Sequence, residues 1–189
     1  MENDSTLVGY KLVKGWGPER HVYFTAVFSK PFRDFGIMQD TIPVKYNTNR
    51  FRSSLEAWGK DLRFWMRFPT RQGEVVTVKT AVSAVSSDGA KLNMQELEGK
   101  TFASLKAEGE KLWEGQLSKF KIEATPEQRE TFYTSVYHAF LHPFIFQDAD
   151  GKFRELDKNI GQAEGFTNYT VFSLWDTYRA LHPLSLIHI

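Results

Sequence analysis

The apolar pattern of this 189-residue chain changes period once, near Ser87, and that change limits the folds open to it. Before it, hydrophobic residues recur at strand spacing; after it, they recur at helical spacing. His21 to Ser29 (HVYFTAVFS) is a near-continuous apolar and β-branched run, the pattern of a strand buried on both faces. In Leu62 to Phe68 (LRFWMRF), Leu62, Phe64, Met66 and Phe68 alternate with Arg63, Trp65 and Arg67, which predicts a strand with one polar face. Pro69 to Gly73 reads as a turn and Val75 to Val85 as a further strand, so the two are expected to be adjacent and antiparallel. Gly9 to Trp16 and Ile37 to Tyr46 are weaker strand candidates, the second interrupted by Pro43.

Beyond Ser87 the expected elements are helices. Ser87-Asp88 is placed to cap a short one over Ala90 to Leu97, and Thr101 a longer one reaching about Phe120. In the longer segment Phe102, Leu105, Leu112, Trp113 and Leu117 fall roughly on one face. Thr125-Pro126-Glu127-Gln128 is the strongest start signal in the chain: a capping threonine, proline at the first helical position and a capping-box glutamine. Phe132, Val136, Ala139 and Phe140 give that helix its apolar stripe, and Pro143 ends it. Phe144 to Thr167 is polar and glycine-bearing, a loop; Tyr169 to Leu184 resumes as a strand or turn leading into a helix.

Composition removes several function classes. Lys and Arg total 24 against 23 Asp and Glu, without the basic excess of a nucleic-acid binder. No run approaches the ~18 apolar residues needed to span a bilayer, and no cysteine offers a disulfide, thiolate nucleophile or metal ligand. Aromatic residues make up 15% of the chain, in either an aromatic core or a surface that stacks on sugar rings. The first residues, Met1-Glu2-Asn3-Asp4-Ser5-Thr6, lack the basic-then-apolar order of a signal peptide.

Few constellations invite chemistry. Asp148-Ala149-Asp150-Gly151 places its glycine at the fourth position, where an EF-hand loop has no use for one, so an Asx-type turn with Gly151 at positive φ is favoured. His138 and His142 have helical ligand spacing but no intervening glutamate, which favours core or capping histidines. Asn3-Asp4-Ser5 and Asn168-Tyr169-Thr170 satisfy the glycosylation triplet. In Ser173 to Arg179 (SLWDTYR), Trp175 can lie against the apolar face of a sugar and Asp176 can accept hydrogen bonds from two hydroxyls. The same pair can equally be a packed Trp175 and an Asp176–Arg179 ion pair on a helix. Glycoside hydrolysis ordinarily needs two carboxylates. The spacing of Asp148, Asp150, Glu155, Asp157, Glu164 and Asp176 singles out no couple.

Tyr169 to Pro183 (YTVFSLWDTYRALHP) resembles a signature of glycoside hydrolase family 92, the calcium-dependent exo-α-mannosidases. Phe132 to His138 (FYTSVYH) and Phe146 to Arg154 (FQDADGKFR) resemble two further family segments, Ala149 standing where valine is usual. Val22-Tyr23-Phe24 and Phe28 to Phe32 (FSKPF) are similar to the strand before the domain junction, and Val82-Ser83 with Asn93 is similar, more loosely, to another segment.

The resemblance implies an α+β fragment: the end of an antiparallel β-sandwich domain (1–87), linker helices (88–124) and the first helices of an (α/α)6 barrel (125–183). It implies removal of terminal α-linked mannose from glycans, α-1,2 being the working linkage, with inversion and with Ca2+. Trp175 and Asp176 would bind substrate. The catalytic glutamate, the base aspartate and the calcium ligands are expected beyond Ile189, so no residue of this chain is assigned as catalytic, the fragment itself is expected to be inactive and to fold poorly, and Asp148 and Asp150 are expected to be structural. By resemblance the whole enzyme would be bacterial and periplasmic or secreted. The last residues, Leu184 to Ile189 (LSLIHI), are what CTGTCTCTTATACACATC encodes, the end of a common transposase adapter, and are read as a library artefact. Two rival readings are a non-catalytic carbohydrate-binding β-sandwich protein and a different (α/α)-barrel glycosidase.

Overall fold

The computed structural model describes residues 2–15, 19–39, 42–43, 59–171, 177 and 182. In chain order its strands are β1 (Thr6–Val13), β2 (Arg20–Phe28), β3 (Asp34–Gln39), β4 (Ile42–Pro43), β5 (Leu62–Arg67), β6 (Val78–Ser83), β7 (Lys152–Arg154) and β8 (Ile160–Gln162). The helices are α1 (Ser87–Met94), α2 (Phe102–Leu117) and α3 (Pro126–Ala139). The chain forms two units. A sheet unit comprises Met1–Glu96 and Asp148–Gly161; a helical unit comprises Leu97–Gln147 and Gln162–Ile189.

In the sheet unit, three-stranded sheets run in the orders β1-β2-β6 and β4-β3-β5, with β7-β8 as a separate ribbon. The sequence expectation that β5 and β6 are neighbours is therefore wrong. β5 pairs antiparallel with β3, Arg67 opposite Asp34, whereas β6 pairs antiparallel with β2, Val78 opposite Phe28. The intervening residues 68–77 change sheets. The Arg71 amide donates to Glu74 Oε2 at 3.0 Å, and further on Ser29 N donates to Thr77 O at 2.9 Å, which starts β6 along β2. A tight hairpin would have needed a connection of about two to five residues.

Phenylalanines fill the space beside this crossing. Phe28 stands 5.4 Å from Phe68 and Phe32 6.3 Å from Phe68. Phe32 also meets Phe35 at 5.7 Å and Phe64 at 6.5 Å, edge to face. Phe32 is only 6% exposed, and such aromatic pairs contribute about 0.5–1.5 kcal/mol each beyond burial. The alternation of β5 holds: Phe64 and Met66 are half-buried, while Arg63, Trp65 and Arg67 are exposed. Leu62, at the strand's start, is exposed with them. On β2 only Thr25 and Ala26 are buried, so the expected burial on both faces holds at mid-strand alone.

α1 begins one residue earlier than its sequence signal. Ser86, not Ser87-Asp88, is the N-cap, accepting from Gly89 N at 2.9 Å. Both longer helices start as expected, each with a complete capping box: Thr101 with Ser104 on α2, Thr125 with Gln128 on α3. α3 buries Val136 and half-buries Phe132, Ala139 and Phe140, the predicted stripe. It ends at Ala139 with Phe140 as C-cap, ahead of Pro143. The stripe expected on α2 is only partly present. Leu105, Trp113 and Leu117 are half-buried, but Phe102 is 80% and Leu112 70% exposed. Leu112 lies at the margin of the stripe. Phe102 lies in the first turn, about three turns before the contact of Trp113 with Tyr137 at 4.5 Å. The stretch read as one loop, Phe144 to Thr167, contains β7 and β8. Among the described residues no helix is long and apolar enough to cross a membrane.

Candidate functional site

The carboxylates proposed from sequence fall into two sets, those described here and Asp176. Asp148 is 5% exposed and begins the return of the chain to the sheet unit. Ser83 Oγ, at the end of β6, donates to Asp148 Oδ2 at 2.6 Å, and Asn93 Nδ2, on α1, donates to Asp148 Oδ1 at 2.8 Å. Asn93 reaches in three directions: its amide also donates to Val82 O at 2.9 Å, and its Oδ1 accepts from Ala149 N at 2.7 Å. Ser83 Oγ in turn accepts from Val85 N at 2.9 Å and Ser86 N at 3.2 Å. A buried carboxylate is tolerated only when donors replace its water, and donors to a charged oxygen make the stronger bonds.

The centre is tight as well as saturated. A Cβ on Gly89 would collide with Asp148 Oδ2 and stand 2.7 Å from Ser83 Oγ, so α1 needs glycine there. Asp148 is thus buried, with each of its oxygens held by one donor. The Asx turn holds as well: Lys152 N donates to Asp150 Oδ1 at 3.1 Å and Gly151 sits at φ 82°. The Lys152 ammonium bonded to Asp150 holds that carboxyl below the usual carboxylate range, and the lysine is raised in return. Sequence reasoning placed Ser83 and Asn93 in one family segment and Asp148 in another. It missed that they meet, across 55 and 65 residues of chain.

The other candidates are equally quiet. Asp157 accepts from Asn159 N at 2.9 Å and from Asn159 Nδ2 at 2.7 Å, a local turn. Glu155 and Glu164 are exposed. His138 is exposed in the last turn of α3, where a cation suits the helix dipole, and His142 is exposed with its ring 5.1 Å from Phe144. Neither is a core histidine. Among the described residues no group of three or more His, Asp or Glu side chains is placed to hold a metal ion. Asn168, in the second glycosylation triplet, donates its side-chain amide to Phe146 O at 2.7 Å, which ties up the atom a glycan would need. Asn3 Oδ1 accepts from Ser5 N at 2.9 Å as a simple turn.

The predicted substrate-binding pair, Trp175 and Asp176, lies outside the described residues, as do Leu184 to Ile189. Of that neighbourhood Thr177 is buried and His182 exposed.

Comparison with known proteins supplies the class first. Residues 1–83 match the model of the glycosyl hydrolase family 92 N-terminal domain, and residues 89–188 match that of the family's catalytic domain. Together they account for nearly all of the sequence, and the chain belongs to glycosyl hydrolase family 92.

A family 92 α-mannosidase from Bacteroides thetaiotaomicron is 68% identical over 97% of this chain, with a TM-score of 0.88. The same enzyme in complex with mannoimidazole matches equally well. A family 92 inverting mannosidase from Bacteroides thetaiotaomicron VPI-5482, 24% identical over 96% of this chain and 24% of its own, shares the fold at a TM-score of 0.77. No curated protein matches the chain. The chain spans about a quarter of the length of the α-mannosidase, 25%.

Proposed function

We propose that this chain is part of an exo-acting α-mannosidase that removes terminal α-linked mannose from glycans. The observation carrying this reading is the 68% identity, over 97% of the chain, to a family 92 α-mannosidase. That enzyme's structure in complex with mannoimidazole supports a mannose-shaped −1 subsite in the whole protein. Inversion, calcium dependence and the α-1,2 linkage follow from the family resemblance, with α-1,2 the linkage to test first, and so does action in the periplasm or outside the cell.

The proposed organisation is a sandwich portion over 1–87, linker helices over 88–124 and the opening of an (α/α)6 barrel over 125–183. Within it, Asp176 accepts hydrogen bonds from two mannose hydroxyls and Trp175 shapes the wall beside them. A carboxylate on hydroxyls gives charge-assisted bonds, and these orient the ring more strongly than neutral acceptors do. Asp148 is buried and Asp150 is ion-paired, which supports structural roles for both. By the family resemblance, the general acid, the base and the calcium ligands are assigned to parts of the whole enzyme beyond this chain. Bound there, calcium would polarise the sugar hydroxyls.

Expression of the complete protein that contains this segment, assayed for mannose release from α-1,2-mannobiose, tests the proposal. Release that depends on calcium and inverts the anomeric configuration is expected. Absence of release from any α-mannoside would overturn it.

A further inference from the structure

The ribbon Asp148–Gly161 lies inside the stretch matched by the catalytic-domain model, yet it folds with the sheet unit. The chain leaves that unit after Glu96, returns at Asp148 and leaves again after Gly161. Something must hold so short an insertion, and apolar burial supplies only part of it: Phe153 is half-buried, but Leu156 is 84% and Ile160 45% exposed.

We infer that the ribbon is held by a polar pin, the Asp148 carboxylate seated between Ser83 and Asn93, and that it comes away as one cooperative piece when the pin is lost. Asp148 takes a hydrogen bond on each oxygen from a different element. The neighbouring backbone is caught in the same grip through Ala149 N and Asn93 Oδ1. At the far side Arg154 clamps the turn before α1, its Nε donating to Ala84 O at 2.7 Å and its Nη2 to Val85 O at 3.0 Å. The ribbon's own bonds are local: Gly151 N to Asp148 O, Asp148 N to Lys152 O, Glu155 N to Asn159 O. These bonds are few and short-ranged, and an isolated two-stranded ribbon is at best marginally stable in water, so off its seat it loses them together, the condition for a separate opening unit. Removing the carboxylate leaves the buried Ser83 hydroxyl without an acceptor and the Asn93 amide with Val82 O alone, and an orphaned buried hydroxyl costs more than its bond alone.

Amide hydrogen exchange on the 189-residue chain tests this, with α3 amides Arg129 and Phe140 as the reference. Asp148→Ala is expected to speed exchange at Ala149, Gly151 and Glu155 about tenfold or more while the reference amides keep their rates. Unchanged ribbon amides, or reference amides accelerated by the same factor, would overturn the inference. Gly89→Ala deletes no polar group but drives a Cβ against the same carboxylate oxygen, and Ser83→Ala removes one donor to the carboxylate together with the acceptor of Val85 N and Ser86 N. Both are expected to give the same pattern more mildly. The effect of Gly89→Ala should shrink in the Asp148→Ala background, and full additivity of the two would count against the pin.

Discussion

The two units of this chain reach order by different routes. The sheet unit has a packed centre: its phenylalanines pack edge to face around Phe32 and both oxygens of its buried carboxylate are engaged, although Val75, Val82 and Leu156 stand open at its surface. In the helical unit the signals are strong but the packing is thin. α2 and α3 both carry complete capping boxes, yet α2 buries no residue and α3 only Val136. Phe102, Leu112 and Val171 stand open at 80, 70 and 77%. Local hydrogen bonds can start a helix, but an amphipathic face is stabilised only when another element covers it.

The contrast can be broken from either side. The largest effect is expected at Phe32. Phe32→Ala should cost about 3–5 kcal/mol, read as a lower urea midpoint with β2 amides losing protection before those of α3. Equal loss in both units would mean they do not differ as argued. Thr125→Ala removes the α3 capping box and should cost about 1 kcal/mol, seen as reduced helicity with the β2 amides unaffected.

Acid should act on the sheet unit through Asp150 and Glu74, the latter depressed first by its hydrogen bond to Lys30, and on the helical unit through Glu127. Asp150 is depressed first by its hydrogen bond to Lys152. Glu127 is depressed first by its own backbone amide and then by the Thr125 side chain. In all three the folded value lies below the unfolded one. The stabilisation is therefore complete above the ordinary carboxylate range and is lost as pH falls through the folded value. NMR titration should find all three carboxyls low, with salt raising Asp150 more than Glu127, because an exposed ion pair is screened. Leu112→Ala should do least, under about 0.5 kcal/mol, and a larger loss would show that this face of α2 is covered.

Legibility followed the same divide. The Thr125 start was readable because a capping box is written in four consecutive residues, and the Thr101 start because a capping threonine precedes the helical pattern; its Ser104 partner was not read. The β5 alternation was readable because its period is local. Sheet partners were not. The stretch between β5 and β6 looked like a hairpin turn, and only Arg67 beside Asp34 and Thr77 beside Ser29 reveal a change of sheet. The Ser83–Asn93–Asp148 centre was invisible because nothing local announces a contact across 65 residues. Of the candidate site, the legible part was the Asx turn at Asp150 with Gly151 at positive φ. The substrate-binding pair, Trp175 and Asp176, rests on resemblance to a family signature.

Mannose release by the complete enzyme, with and without Asp176, tests the account most directly. The intact protein should liberate mannose from α-1,2-mannobiose in the presence of calcium. Asp176→Ala should lower kcat/KM roughly 10- to 100-fold through lost charge-assisted bonds, and the 189-residue chain alone should release none. An intact enzyme that ignores α-mannosides, or one indifferent to Asp176→Ala, would contradict the reading.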